Sequence, residues 1–239
     1  MVKIDNHIFI EKLISFGLSR QEATIYMSLL IKGELTGYEA AKSTGISRSN
    51  VYSALAGLTE KGAAYVMEGA ATKYIPVAVE EFCKNKINSM MEEQQFLVDN
   101  VPIPEEQMEG YITIEGDRNI LNKMRNMMTL AGQRIYLSMS YQNLLSFEEE
   151  IKECVSRNIK VVVITDQEAA YQGVTLFIAE NKGNQVRLIA DSSKVLTGDY
   201  GKGQFDTCLY SGQKDFVNLL KDALGNEIKL IEILKGKEL

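Results

Sequence analysis

The sequence predicts an α/β chain. A helical N-terminal module closed by a β-hairpin comes first, then a long charged helix, then a second domain of alternating strands and helices. Three observations carry this. Two capping-box spacings, Ser19-x-x-Glu22 and Thr36-x-x-Glu39, open helices that glycines then stop. Between Val79 and Val101 neither Gly nor Pro interrupts a charged, periodic run. Beyond Pro104, short apolar runs alternate with amphipathic stretches, as when helices pack on one sheet.

In chain order, the helix opened by Ser19 carries Ala23, Met27 and Leu30 on one stripe and stops at Gly33. Thr36 opens a short helix ending at Gly45, and Ser47 is expected to cap a third, whose Val51, Leu55 and Leu58 form an inner stripe. Two helices joined by the tight Thr44-Gly45-Ile46 turn make a helix-turn-helix. Ala64–Met67 and Thr72–Ile75 read as a hairpin about a Glu68–Ala71 turn, with Pro76 expected to stop the pairing. The first 78 residues are thus expected to form a winged helix-turn-helix.

The outer face of the third helix presents Ser47, Arg48, Ser49, Asn50, Tyr52 and Ser53. Hydroxyls at a helix start suit phosphates, and Arg and Asn can pair with base edges in a major groove. Lys73 on the wing would reach the backbone. A double-stranded DNA operator is the expected partner; use of the winged helix for protein contact is the alternative. Charge is a weak support. Residues 1–78 hold 8 Lys/Arg against 7 Asp/Glu, residues 79–108 hold 2 against 7, and residues 109–239 hold 16 against 18. The acidity therefore lies outside the DNA-facing segment, but that segment is barely basic.

Phe16-Gly17-Leu18-Ser19-Arg20-Gln21-Glu22-Ala23 with Ile25-Tyr26, and Gly45–Leu55 with Leu58 and Gly62, resemble the opening and the recognition helix of TrmB-type transcription regulators. The resemblance extends over residues ~9–100. It implies a major-groove role for the third helix and a phospholipase D-like effector domain beyond, sensing a sugar in some members.

In residues 79–101, Cys83, Ile87, Met90, Gln94, Leu97 and Val101 alternate spacings of four and three, a seam suited to pairing with a second copy. Packing on the chain's own C-terminal domain is the other reading. A homodimer would set two recognition helices about one DNA turn (~34 Å) apart. Residues 102–108, with Pro102 and Pro104, read as a linker.

Residues 109–239 read as an α/β sandwich. Strands are expected at Tyr111–Ile114, Ile135–Ser138, Lys160–Ile164, Gln185–Ile189, Phe205–Tyr210 and Ile228–Ile233, with helices after Gly116, around Ile151 and over 214–224. Ligands gather at the C-terminal ends of parallel strands. Those ends offer Ser138, Ser140, Thr165, Asp166, Asp191 and Ser192, suited to a sugar or another hydroxylated or anionic metabolite; their use as turn and cap residues is the alternative. Ser192-x-Lys194-x4-Asp199 resembles the His-x-Lys-x4-Asp motif of the phospholipase D superfamily, with Ser where the nucleophilic His belongs. A chance match is the alternative; Lys194 and Asp199 are retained as effector candidates.

Composition agrees with a globular chain, 45% hydrophobic and 24% charged. No apolar run reaches the ~20 residues of a membrane span, and the opening residues lack a signal-like core, so a cytoplasmic protein without a membrane partner is expected. Cys83, Cys154 and Cys208 fit neither a disulfide framework nor a zinc spacing; no metal or cofactor is expected. The function expected is a DNA-binding regulator sensing a small effector. A phosphodiesterase or nuclease with a divergent site is the alternative, although His7, the only histidine, lies in the first module.

Overall fold

Both capping boxes form, and they open the second and third helices of the chain. The computed structural model describes residues 6–102, 110–168, 171–180, 182–203 and 205–235. The chain divides into two units, Met1–Pro104 and Glu105–Leu239.

In the first unit α1 (Asn6–Ser15) precedes α2 (Arg20–Lys32). Ser19 Oγ accepts from the Glu22 N–H at 3.3 Å, and the Glu22 carboxylate accepts from the Ser19 N–H at 2.6 Å. The buried stripe of α2 is not the expected one: Ala23, Ile25, Tyr26 and Leu29 are buried, while Met27 and Leu30 are half-buried. Tyr26 explains the rotation. Its hydroxyl donates to the Val77 carbonyl at 2.6 Å, and its ring lies 5.7 Å from Phe82. β1 (Leu35–Thr36) was not expected; it pairs with β3, giving the order β1-β3-β2. Then come α3 (Gly37–Thr44), α4 (Arg48–Glu60), β2 (Ala64–Met67), β3 (Lys73–Pro76) and α5 (Val79–Asn100).

Two expectations need correction here. Ser47 occupies the N-cap position of α4 but its side chain makes no capping bond. Pairing does not stop at Pro76, which lies opposite Ala64. Val77 next along donates to Ala63 at 3.0 Å, so Ala64↔Pro76 is a non-hydrogen-bonded pair, where a missing N–H leaves the ladder intact.

Glu22 also locks α2 to α4. Its carboxylate meets the Lys61 ammonium at 2.7 Å, and a Cβ at Gly57 would collide with it, so only glycine permits the approach. Burial pushes the Glu22 carboxyl up, but Lys61 and the backbone and hydroxyl of Ser19 outweigh it and hold the group below its ordinary 4.5. A lowered folded-state value means stability that is present above the unfolded value and lost as pH falls through the folded one. Glu22→Gln is therefore expected to cost about 1–2 kcal/mol at pH 7. Denaturant titrations should show that cost vanishing in acid.

The second unit is a mixed sheet, ordered β4-β10-β9-β8-β5-β6-β7 among the described residues. Its elements are β4 (Tyr111–Glu115), α6 (Asp117–Leu130), β5 (Arg134–Ser138), α7 (Tyr141–Leu144), α8 (Glu148–Ser156) and β6 (Lys160–Thr165). They continue with β7 (Val174–Ile178), β8 (Gln185–Ala190), β9 (Lys194–Asp199), β10 (Thr207–Ser211) and α9 (Lys214–Lys235). Only β5-β6-β7 run parallel; β8, β9, β10 and β4 alternate antiparallel beside them. Helices α6 and α8 bury Ile120, Met124, Met128, Ile151 and Cys154 against one face. On the other face α9 buries Val217, Leu224 and Ile231 against Ile164, Ile189 and Val195.

Strands β7 and β9 were not expected, and β10 runs Thr207–Ser211 rather than 205–210. The expected strand Ile228–Ile233 is the end of one continuous helix, α9. Val217, Leu220, Leu224, Ile228 and Ile231 make a helical stripe, which holds the segment as helix against its short apolar–polar alternation. Of the expected linker, residues 103–108 lie outside the described residues.

Candidate nucleic-acid interface

The inner side of α4 is fully committed: Val51, Leu55 and Leu58 are wholly buried and Ala54 nearly so. Hydrophobic burial on that side turns Ser47, Arg48, Ser49, Asn50, Tyr52 and Ser53 outward, and all six are exposed. Because Ser47 leaves the first-turn amides uncapped, the start of α4 keeps free N–H donors beside these side chains, a setting that favours phosphate. The Arg48 guanidinium carbon lies 4.8 Å from the centre of the Tyr38 ring, so α3 supports the arginine from below.

Two further contacts shape the face. A Cβ on Gly37 would come within 2.5 Å of the Tyr52 ring, so Tyr52 can lie over the first turn of α3 only because residue 37 is glycine. On the wing, Lys73 pairs with Glu34 at 2.5 Å, which raises its pKa, so a phosphate would compete with that carboxylate. Tyr65, Val66 and Met67 of the hairpin are exposed.

Helix α5 is anchored by Phe82, buried to 2% exposure in the core of the first unit. Cys83, the first residue of the expected seam, is partly buried against the same core. From there the row stands in solvent: Ile87, Met90, Leu97 and Val101 are 48–58% exposed, and Gln94 is exposed among them. Met91, Phe96 and Val98 are exposed too and broaden the apolar surface.

The strand-end residues of the second unit do not converge. Ser138, Ser140, Thr165 and Asp166 lie at the C-terminal ends of the parallel strands β5 and β6. Most are engaged locally. Ser138 Oγ accepts from Lys182 Nζ at 2.9 Å, Ser140 caps α7 through the Asn143 N–H, and Asp166 accepts from the Tyr141 N–H at 2.7 Å. Thr165 Oγ1 is buried with no hydrogen-bond partner among the described residues. Ser192 and Lys194 sit at the opposite end, because β8 runs antiparallel to β5. Asp191 and Ser192 have φ of 50° and 55°, and the Ser193 N–H donates to the Ala190 carbonyl, as in a type I′ hairpin turn. The Asp191 carboxylate accepts from the Gly132, Gln133 and Arg134 N–H groups, which lower its pKa despite partial burial that raises it. Lys194 and Asp199 begin and end one strand, roughly 17 Å apart. Lys194 instead borders a cavity of about 150 Å³ with Lys123, Asp191 and Tyr210. Burial, and then the charge of Lys194, lower the Lys123 pKa, and its ammonium lies 3.8 Å from the centre of the Tyr210 ring. Asp199 pairs with Lys202.

Residues 13–80 match the family described as "Sugar-specific transcriptional regulator TrmB". The match spans α2, α3, α4 and the wing. Over these residues the first unit is similar to the TrmB-type transcription regulators. Among relatives, it is 24% identical over 97% of its length to an uncharacterized protein, YrhO, of Bacillus subtilis, covering 87% of that protein. It is 22% identical over 85% of its length to the "HTH-type sugar sensing transcriptional regulator TrmBL1" of Pyrococcus furiosus, but spans only 59% of that protein. A solved structure of TrmBL2, titled an archaeal chromatin protein with a novel mode of DNA binding, aligns over 94% of this chain and 98% of its own, with 20% identity and a TM-score of 0.45.

Gly37, Tyr38 and Glu34, which position or compete for Tyr52, Arg48 and Lys73, are not among the residues the sequence singles out. The signal for Gly37 was present: a glycine at the first position of a capped helix has no helical purpose. The Arg48–Tyr38 contact joins separate helices, and no local pattern announces it.

Proposed function

We propose that the chain is a homodimeric regulator that reads a two-part operator with α4, pairs through α5 and senses a small molecule with its second unit. One observation carries the reading. The side of α4 bearing Arg48, Asn50 and the hydroxyls is exposed along its length while the opposite side is wholly interred. The exposed apolar row from Ile87 to Val101 supports pairing through α5. A winged helix used for protein contact would lack salt-sensitive DNA affinity, so mobility shifts on a duplex selected from a random library separate the two. Binding through phosphate contacts should weaken steeply between 50 and 200 mM salt, by roughly 10³-fold or more for six or more phosphate contacts. Salt-independent retention would favour the adaptor.

We also propose that the second unit is a phospholipase D-like domain that binds without turning substrate over. Ser192 stands in a hairpin turn where that chemistry requires a nucleophilic His, and His7 belongs to the other unit. The expected result is no cleavage of single- or double-stranded DNA, or of bis(p-nitrophenyl) phosphate, with or without divalent metal. Turnover that disappears in Lys194→Ala would reverse this reading. No helix among the described residues is long and apolar enough to cross a membrane, which accords with a cytoplasmic site of action.

A further inference from the structure

The two faces of the second unit are covered unequally. Seven strands spaced by roughly 4.8 Å make a face about 30 Å across, while one helix with its side chains is about 10 Å wide. Helices α6 and α8 share one face; α9 is the sole described helix of the core on the other. Beside α9 this leaves a cavity of about 350 Å³ over β5, β6, β7 and β8. Its floor and wall are Val162, Phe177, Ile189, Leu224 and Ile228, with Tyr136 and Thr175 also in the lining. Gly225, in the middle of α9, faces open space: a Cβ built there meets nothing within 4 Å. Two cations share the lining, Lys160 from the start of β6 and Lys221 one turn before Gly225. Neither pairs with a described carboxylate.

We infer that this cavity binds a small apolar carboxylic acid, its hydrocarbon body on the Val162–Phe177–Leu224 surface and its carboxylate between Lys160 and Lys221. A polyol fits poorly, because besides the two lysines only Tyr136 and Thr175 offer side-chain polar groups, and most of its hydroxyls would lose their hydrogen bonds to water against apolar side chains. A purely inorganic anion would leave the apolar floor unused. An amphipathic acid satisfies both parts, with charge-assisted bonds at one end and apolar burial at the other. None of the strand-end residues or Lys194 lines this space. As a binding site the inference stands alone; as an effector site it rests on the sensor reading above.

Calorimetry of the full chain with sodium octanoate tests it, with octanamide and glucose as controls. Saturable octanoate binding is expected, with octanamide weaker by roughly tenfold or more for lack of the charge. Glucose should show no saturable heat. Gly225→Leu places a side chain in the open space and should abolish binding while the helical circular dichroism is retained, since leucine favours helix more than glycine. Should that variant not fold, the exposed pair Lys160→Gln with Lys221→Gln should weaken octanoate by roughly tenfold while leaving octanamide unchanged. Absence of saturable octanoate binding, equal affinity for the amide, or full binding in a folded Gly225→Leu chain would overturn the inference. Octanoate that binds as described and leaves operator affinity unchanged supports the site and contradicts only the sensor reading.

Discussion

Under the proposed pairing through α5, glutamate at both Met90 and Leu97 is expected to leave the chain monomeric and to weaken operator binding by roughly 10²–10⁴-fold. Both side chains are more than half exposed and lie three and four residues from Ile87, Gln94 and Val101 on one row of α5. Neither supports the core of its own unit, which ends with Phe82 and Cys83, so the substitutions should spare the fold. In a paired seam the four carboxylates would face one another in a desolvated strip, at a cost that apolar contacts cannot offset. The loss in DNA affinity follows from geometry. Each monomer carries one recognition helix, and joining two makes the second contact intramolecular. Light scattering after size exclusion gives the oligomeric state, and mobility shifts give the affinity. A variant that stays dimeric would assign dimerisation to another surface.

Arg48→Ala is expected to lower operator affinity by about 1–3 kcal/mol per half-site, roughly 5- to 150-fold, and to relax the sequence preference at one base pair in each. Arg48 has the reach and the donors for a bidentate contact with guanine, and its place at the start of α4 is where recognition helices meet base edges. Its stacking on Tyr38 limits the rotamers to be frozen on binding, so Tyr38→Ala should give a smaller loss in the same direction. Lys73→Ala should cost less still and act alike on all sequences, because Glu34 already holds that ammonium. Competition binding against base-substituted duplexes distinguishes these patterns.

What the sequence discloses about this molecule is mostly local. Both capping boxes, the Gly45 turn and the Val51–Leu55–Leu58 stripe depend on neighbours within four residues, and all were legible. The register of α2 was not, because the Tyr26 hydroxyl finds its acceptor at Val77, fifty-one positions away. Strand β1 has two residues, too few for any periodicity. The end of α9 alternates apolar and polar residues as a strand does; only the longer stripe from Val217 to Ile231 decides for helix. Strand direction mattered most for the effector candidates. Ser138 and Ser192 both follow apolar runs, but the antiparallel insertion of β8 beside β5 sends them to opposite edges. No residue type records direction. The cavity under α9 was equally hidden, since it arises from what a single helix leaves uncovered.

Hydroxyl-radical footprinting on a selected operator tests the central claim most directly, that the outward side of α4 enters a duplex in two copies. Two protected patches on one face of the DNA, about one helical turn apart at roughly 10 base pairs, are predicted, and both should fade together in the Arg48→Ala chain. A single patch, or protection indifferent to residue 48, would contradict it.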